Sequence, residues 1–374
     1  MEILEKVKIL GASGKWDVCA SSCSTRKVTT NDRIGDAASS GICHSFTENG
    51  RCISLFKTLL TNKCSYDCRY CQNSSHCKKQ VANYEPEELA KVFMTLYVKN
   101  YVEGLFISSG IEKDANESTE KMIQAVELIR MKYKFQGYIH FKALPGADRN
   151  LIKHASTFAD RISVNLEQPN KARMNEVSSV KDYKIDILRR QKWIQNLNLP
   201  SGQTTQLVVG GSDESDLEIL RMVDWEYENV ELNRAYYSAF TPIKATPFEF
   251  KNQTPYEREH RLYNVDFMMR KYDISLSEFR NILVDENLPK GDPKIHLARL
   301  RFNRPIDLNS ASKEDILRVP GIGPQSAEKI LSLQSKNIKI EKREQLASIG
   351  VVLKRAEPFI KINGIAQKTL GEFA

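Results

Sequence analysis

Between about residues 50 and 240 the chain alternates short apolar runs with longer segments of helical period. The runs are CISLFKTLL (52–60), GLFISSG (104–110), GYIHFKAL (137–144), RISVNLE (161–167), TQLVVGG (205–211) and NVELNRAYY (229–237). Most are rich in branched or aromatic residues, as strands are. Between them lie amphipathic stretches such as EPEELAKVFMTLYVKN (85–100), STEKMIQAVELIRMKYK (118–134) and DESDLEILRMVDWEYE (213–228). Pro86 suits a first helical turn, and Ser118 or Thr119 can cap the helix it precedes. Six strand–helix repeats predict an α/β domain with a parallel sheet, because parallel neighbours need crossover helices. Six units suit a partial (β/α)6 TIM-like barrel, and a doubly wound sheet has the same one-dimensional pattern. Either collects its site at the C-terminal ends of the strands.

The pattern changes after residue 240. TPIKATPFEFKNQTP (241–255) is broken by three prolines, and helical segments follow to about 284. LPKGDPK (288–294), with two prolines and a glycine, is the best linker candidate. Beyond it the reading is helical to the end. The chain thus divides into a Cys-containing segment (1–50), an α/β core with a helical extension (51–287) and a small all-α domain (295–374).

Charge sharpens that division. The 374 residues carry 55 Lys+Arg and 47 Asp+Glu, a net +8, and residues 301–374 hold 13 and 8 of these, a net +5. The remaining +3 is small for three hundred residues, so the basic excess sits in the tail, where it suggests a polyanionic partner. No stretch reaches the ~20 apolar residues of a membrane span, so no membrane partner is expected. All 8 cysteines lie between positions 19 and 77. The N-terminus MEILEKVKILGASGKWDVC interrupts every apolar run with charge, unlike a secretory leader. Reduced thiols in a cytoplasmic protein are expected, and their crowding points to a metal.

Cys64, Cys68 and Cys71, in TNKCSYDCRYCQN, form a C-x3-C-x2-C set on the loop after the first apolar run. A [4Fe–4S] cluster normally takes four cysteines, so three would leave one iron open. A zinc site completed by Cys77 or His76 is the alternative. The triplet, with Tyr70 before its last cysteine and its place after the first strand of a six-unit domain, resembles the radical S-adenosylmethionine (radical SAM) superfamily. The resemblance implies that the open iron chelates the amino and carboxylate groups of S-adenosylmethionine. One electron then cleaves the sulfonium, giving methionine and a 5′-deoxyadenosyl radical. A reductant such as flavodoxin or ferredoxin is implied.

Carried over by place, Ser108, Ser109 and Gly110 end the second strand, where this superfamily contacts the methionine amino group. The usual acidic residue is absent there unless Glu112 serves. Asn165 and Glu167, on the same face as Ser163, would meet ribose or methionine, and Gly210 and Gly211 would admit the adenine; a solvated strand end and a plain turn are the alternatives. Lys142, Arg234, Tyr236 and Tyr237 are further pocket candidates. Cys19, Cys23, Cys43 and Cys52, with His44 beside one of them, form a possible second iron–sulfur site, against simple burial of small apolar side chains.

The tail carries the other strong signal, DLNSASKEDILRVPGIGPQSAEKIL (307–331). It reads as helix, tight turn and helix. Gly321 and Gly323 permit the turn, whose amides at the next helix N-terminus can hold a phosphate without reading bases. This resembles the helix-hairpin-helix motif of DNA repair proteins. Pro320, Gly321, Ile322, Gly323 and Lys329 are the expected backbone contacts. A weaker echo, REQLASIGVVLKRAEPFI (343–360), adds Lys354 and Arg355.

Together with GICHSFTENGRCISLFKTLLTNKCSYDCRYC, YVEGLFISSG, YIHFKALPGA and SIGVVLKRA, the two modules resemble a family of radical SAM proteins assigned to DNA modification or repair. That resemblance implies a radical SAM enzyme acting on DNA, held by backbone contacts without sequence specificity. An RNA-modifying enzyme and a non-catalytic iron–sulfur DNA-binding protein are the alternatives.

Overall fold

A computed structural model describes residues 1–14, 42–46, 52–362 and 364–366. It divides into two units, Met1–Glu214 with Arg221–Pro255, and Ser215–Leu220 with Tyr256–Ala374. The division at Pro255 precedes the 288–294 stretch, which here leads into a helix of the second unit.

In the first unit, α1 (Ile3–Ser13) is followed by β1 (Ile42–Phe46) and β2 (Cys52–Leu59). Strands and helices then alternate: α2 (Pro86–Val98), β3 (Gly104–Ser108), α3 (Ala115–Met131), β4 (Tyr138–Lys142), α4 (Arg149–Ser156), β5 (Arg161–Ser163), α5 (Lys171–Val177) and α6 (Arg189–Gln195). β6 (Gln203–Val209), α7 (Asp216–Asn229), whose residues up to Leu220 are counted with the second unit, and β7 (Arg234–Ala239) complete the series. A π-helical turn, Tyr183–Leu188, leads into α6.

All six expected strands are present as β2 to β7, parallel and in sequential order, with β1 added antiparallel at the outer edge of β2. Sequential order settles the ambiguity left by the sequence: a doubly wound sheet would reverse direction at a switch point, and this one never does. The sheet curls into a half-barrel, the partial barrel expected. The β1 sequence ICHSF lacks a sustained apolar run, which is why its pairing was not visible in the pattern.

Helix starts follow local chemistry. Asp114 caps α3 by accepting from the amides of Asn116 and Glu117, and α2 begins at Pro86 behind a Glu85–Glu88 capping box. Gly104 opens β3 because a side chain there would lie 2.7 Å from both Leu55 and the Tyr138 carbonyl. Ile53, Leu55, Phe106 and Tyr138 pack together at the N-terminal end of the barrel.

The second unit contains α8 (Tyr256–Tyr272), α9 (Leu276–Arg280), α10 (Pro293–Arg301), β8 (Ile306–Asp307), α11 (Lys313–Arg318), α12 (Pro324–Ser335), α13 (Arg343–Ser348) and α14 (Leu353–Ala356). Two short strands, β9 (Ile360–Ile362) and β10 (Ile365–Ala366), join β8 in a small sheet, an addition to the helical reading of this region. These strands are too short for an alternating pattern to register. Among the described residues no helix is long and apolar enough to cross a membrane.

Candidate active site and hairpin surface

The cysteine loop is irregular backbone pinned at three points. Ser65 donates its amide to the Ile111 carbonyl at 2.7 Å, Tyr66 its hydroxyl to the Pro145 carbonyl at 3.2 Å, and Arg69 its amide to the Val177 carbonyl at 2.9 Å. Asp67 is the anchor beneath: it accepts from the Ser178 hydroxyl at 2.6 Å and the Ser179 amide at 2.8 Å. Burial opposes its charge, yet those hydrogen bonds outweigh it and bring its pKa down to about 2. Gly110 permits the close approach of this loop to the end of β3. A Cβ there would lie 2.3 Å from the Lys63 carbonyl oxygen and 3.2 Å from Cys64 Cβ.

One cavity at the C-terminal ends of the strands is lined by Cys64, Cys68 and Cys71 together with Tyr70, Ser108, Ser109, Gly110, Lys142, Asn165 and Glu167. These are residues singled out by motif and by place. The cavity also takes in Tyr66, Lys181, Gln206 and Ser238, which no local pattern marked. Gly210 and Gly211 do not line it. Gly210, at φ +83°, closes a turn in which a side chain would sit 1.8 Å from Thr254 Oγ1, and a Gly211 side chain would meet Gln168 at 3.0 Å. The glycine pair thus serves the return of the 240–255 segment across the strand end. Glu112 lies outside the lining and pairs with Lys63 at 2.7 Å. Arg234, Tyr236 and Tyr237 are likewise outside it, both tyrosines being buried in the core.

Lys181 and Glu167 form a buried ion pair at 3.3 Å. Glu167 also accepts the Tyr70 hydroxyl, and the Lys181 ammonium hydrogen-bonds Cys68. Burial works against the lysine's charge, but Cys68 and Glu167 outweigh it and raise its pKa. Glu167 has φ +64°, a left-handed conformation that costs energy in a non-glycine residue and is kept only where its surroundings demand it. The pairing of its backbone with β6, through its amide to Gln206 and its carbonyl from Val208, holds it there.

The three thiols are crowded together. Burial first, and then neighbouring Cys68, push the Cys71 thiol up to about 12, and burial also raises Cys68. Three sulfurs confined together are stable as thiolates only around a strongly positive centre. The Cys71 sulfur accepts the Asn73 amide at 3.3 Å, a further stabilisation of anionic sulfur. Cys77, the fourth ligand of the zinc alternative, directs its thiol to the carbonyls of Cys71 (3.5 Å) and Ala245 (3.4 Å) and does not line the cavity. Nor does His76. Among the described residues no three His, Cys, Asp or Glu are grouped to hold a single metal ion. The thiols of Cys64, Cys68 and Cys71 all face this one cavity. Cys19 and Cys23, and the side chains of Cys43 and Cys52, lie outside the described residues.

In the second unit the two glycine turns meet. Gly321, at φ +85°, donates nothing to the partner turn but accepts the Val352 amide at 2.9 Å, and a side chain on it would strike the Val352 carbonyl at 2.5 Å. Ser326 donates to the Ile349 carbonyl at 3.1 Å, behind Gly350. The weaker echo therefore buttresses the first hairpin. Gly323 is the N-cap of α12 and brings no side chain to its first amides. Gly321, Ile322, Gly323 and Arg355 line a common concave surface; Lys329 and Lys354 are exposed outside it, and Pro320 is buried. Lys294, unmarked by the sequence, lines it too: its ammonium donates to the Ile322 carbonyl at 2.6 Å and lies 4.5 Å above the Tyr272 ring. Burial lowers its pKa to about 7.

Two family models match the chain. Residues 58–225 match the radical SAM superfamily, and residues 302–370 match the helix-hairpin-helix motif. Curated proteins give no match. Among solved structures, methylornithine synthase (PylB) aligns over 57% of this chain and 61% of its own, at 11% identity and TM-score 0.49. The [FeFe]-hydrogenase maturase HydG aligns over 57% of this chain and 49% of its own, at 11% identity and TM-score 0.48. A radical SAM methyltransferase from Sphaerobacter thermophilus aligns over 59% and 68%, at 12% identity and TM-score 0.44. The alignment spans less than two thirds of the first two proteins.

Proposed function

For a radical SAM enzyme whose C-terminal residues carry a helix-hairpin-helix motif, as this chain is, we propose that the substrate is DNA, bound through its phosphate backbone for modification or repair. The family's [4Fe–4S] cluster and S-adenosylmethionine supply a 5′-deoxyadenosyl radical when bound. The residues of this chain hold and enclose that chemistry. Cys64, Cys68 and Cys71 ligate the cluster, and Gly110 lets their loop press on β3. Ser108, Ser109, Asn165 and Glu167 offer polar atoms to the cofactor. Lys181 supplies counter-charge to the thiolates.

The paired glycine turns carry the DNA reading. Two hairpins locked by the Val352–Gly321 hydrogen bond present an uncapped helix start on a surface that includes Lys294 and Arg355. Such a surface suits a phosphodiester and reads no bases. A base inside a duplex must leave the stack to reach an enclosed radical, which costs a few kcal/mol and favours lesions or unpaired sites.

Gly321→Val is the direct test. Its side chain would collide with the Val352 carbonyl and demand a left-handed backbone, so the turn should open. Anisotropy titration with labelled duplex DNA should show affinity falling at least tenfold, with unfolding of the first unit unchanged. Undiminished binding would remove the hairpin from the interface, and preferential competition by structured RNA would replace DNA as the substrate.

A further inference from the structure

Lys294 is a cation that the second unit buries among neutral partners. It is the second residue of α10, after Pro293, and only 6% of its surface is exposed. Its ammonium donates to the Ile322 carbonyl at 2.6 Å and lies 4.5 Å above the Tyr272 ring. Among the described residues no carboxylate pairs with it. Asp292, two positions earlier, is committed elsewhere: it accepts the Lys294 amide at 2.9 Å and pairs with Arg355 of α14.

The elements packed around α10 bring no acid to this amine. From α8, Tyr272 and Lys271 line the same concave surface, and from α11, Arg318 is held by Glu278. The turn from Gly321 to Ser326 has no ionisable side chain. A carbonyl and a ring face replace only part of the hydration that a buried ammonium gives up. Desolvation alone accounts for the fall of its pKa from 10.5 to about 7.

Place gives this amine its role. Lys294 lines the concave surface with Gly321, Gly323 and Arg355, and its hydrogen bond holds the middle residue of the Gly-Ile-Gly turn. The α12 amides, which Gly323 leaves without a side-chain cap, begin directly after that turn. An anion seated there shares one surface with an ammonium that no carboxylate balances.

We propose that Lys294 is a proton-linked positioning residue of the hairpin: it holds the turn through Ile322, and a bound phosphodiester supplies its counter-charge and draws a proton onto its amine. The phosphodiester is the DNA backbone of the reading above, on which this coupling rests. The proton comes from solvent and adds to the Nζ lone pair; no other bond changes. Below about pH 6 the amine is already charged, so affinity should be level. As pH rises through about 7 the free protein loses the proton and the complex keeps it, so affinity falls by up to about tenfold per pH unit.

The test titrates the full chain with duplex DNA in a calorimeter, at pH 7 and in buffers of different ionisation enthalpy. The parent should take up about half a proton per bound duplex site. Its affinity should fall at least fivefold between pH 6 and pH 8.5. Lys294→Arg, charged throughout that range, should bind with affinity nearly independent of pH. Lys294→Met should take up no proton and bind at least fivefold more weakly than Lys294→Arg at pH 6, with thermal unfolding showing that both variants fold. The uptake in the parent is decisive whether or not the variants fold: binding without it overturns the coupling and leaves the DNA reading standing. Uptake that survives in Lys294→Met also overturns the assignment. Absence of duplex binding at every pH overturns the DNA reading and the coupling with it.

Discussion

Cys68→Ala should strip about four irons per chain from the anaerobically reconstituted protein and abolish cleavage of S-adenosylmethionine. Cys68 is buried, lines the cavity between Cys64 and Cys71, and is the thiol that Lys181 contacts. Two thiolates cannot hold the cluster against hydrolysis, and the pair left behind would revert to protonated thiols in an apolar site. The loop itself should keep its shape, because its anchors are Asp67, Ser65 and Tyr66 rather than the sulfurs. Iron and sulfide analysis, with the visible charge-transfer absorption, reads the loss; four irons retained in the variant would exclude this triplet as the ligand set. Cys77→Ala should retain the parent's iron, since that thiol is directed to backbone carbonyls.

Glu226→Gln should stabilise the protein, and increasingly so as pH rises. Glu226 is fully buried on α7, where one oxygen accepts Gln191 Nε2 at 2.9 Å and the other has no partner. Burial raises its pKa from 4.5 to about 8, with the Gln191 hydrogen bond opposing. Between those values the folded state keeps a proton that the unfolded state has lost. Stability contributed by this group is therefore complete below pH 4.5 and falls by up to about 1.4 kcal/mol per pH unit until pH reaches about 8. At pH 7 the cost is about 3 kcal/mol. Glutamine keeps the size of the side chain without the ionisation. Urea midpoints for the two proteins should nearly coincide at pH 5 and separate by pH 8, the variant being the more stable. A separation independent of pH would show that Glu226 is not the titrating group.

Much of the fold could be read from the chain because its strands are buried on both faces and so appear as continuous apolar runs. The position of β7 slipped, from 229–237 to Arg234–Ala239, because the loop at 230–233 between α7 and β7 holds Val230 and Leu232, which also suit a strand. The cysteine triplet was legible from spacing alone. Tyr70, Asn165 and Glu167 reach the cavity as their places in the repeat suggested. Lys181 could not be found this way: it stands in a loop, SSVKDY, and its partners Glu167 and Cys68 are distant in sequence. Gly210 and Gly211 looked like a cofactor approach because a turn and a close contact demand the same residue.

The central claim is radical chemistry at Cys64, Cys68 and Cys71. Reduced, cluster-loaded protein incubated anaerobically with S-adenosylmethionine should form 5′-deoxyadenosine and methionine in equal amounts. Fully loaded, reduced protein that leaves the cofactor intact, with or without DNA, would contradict it.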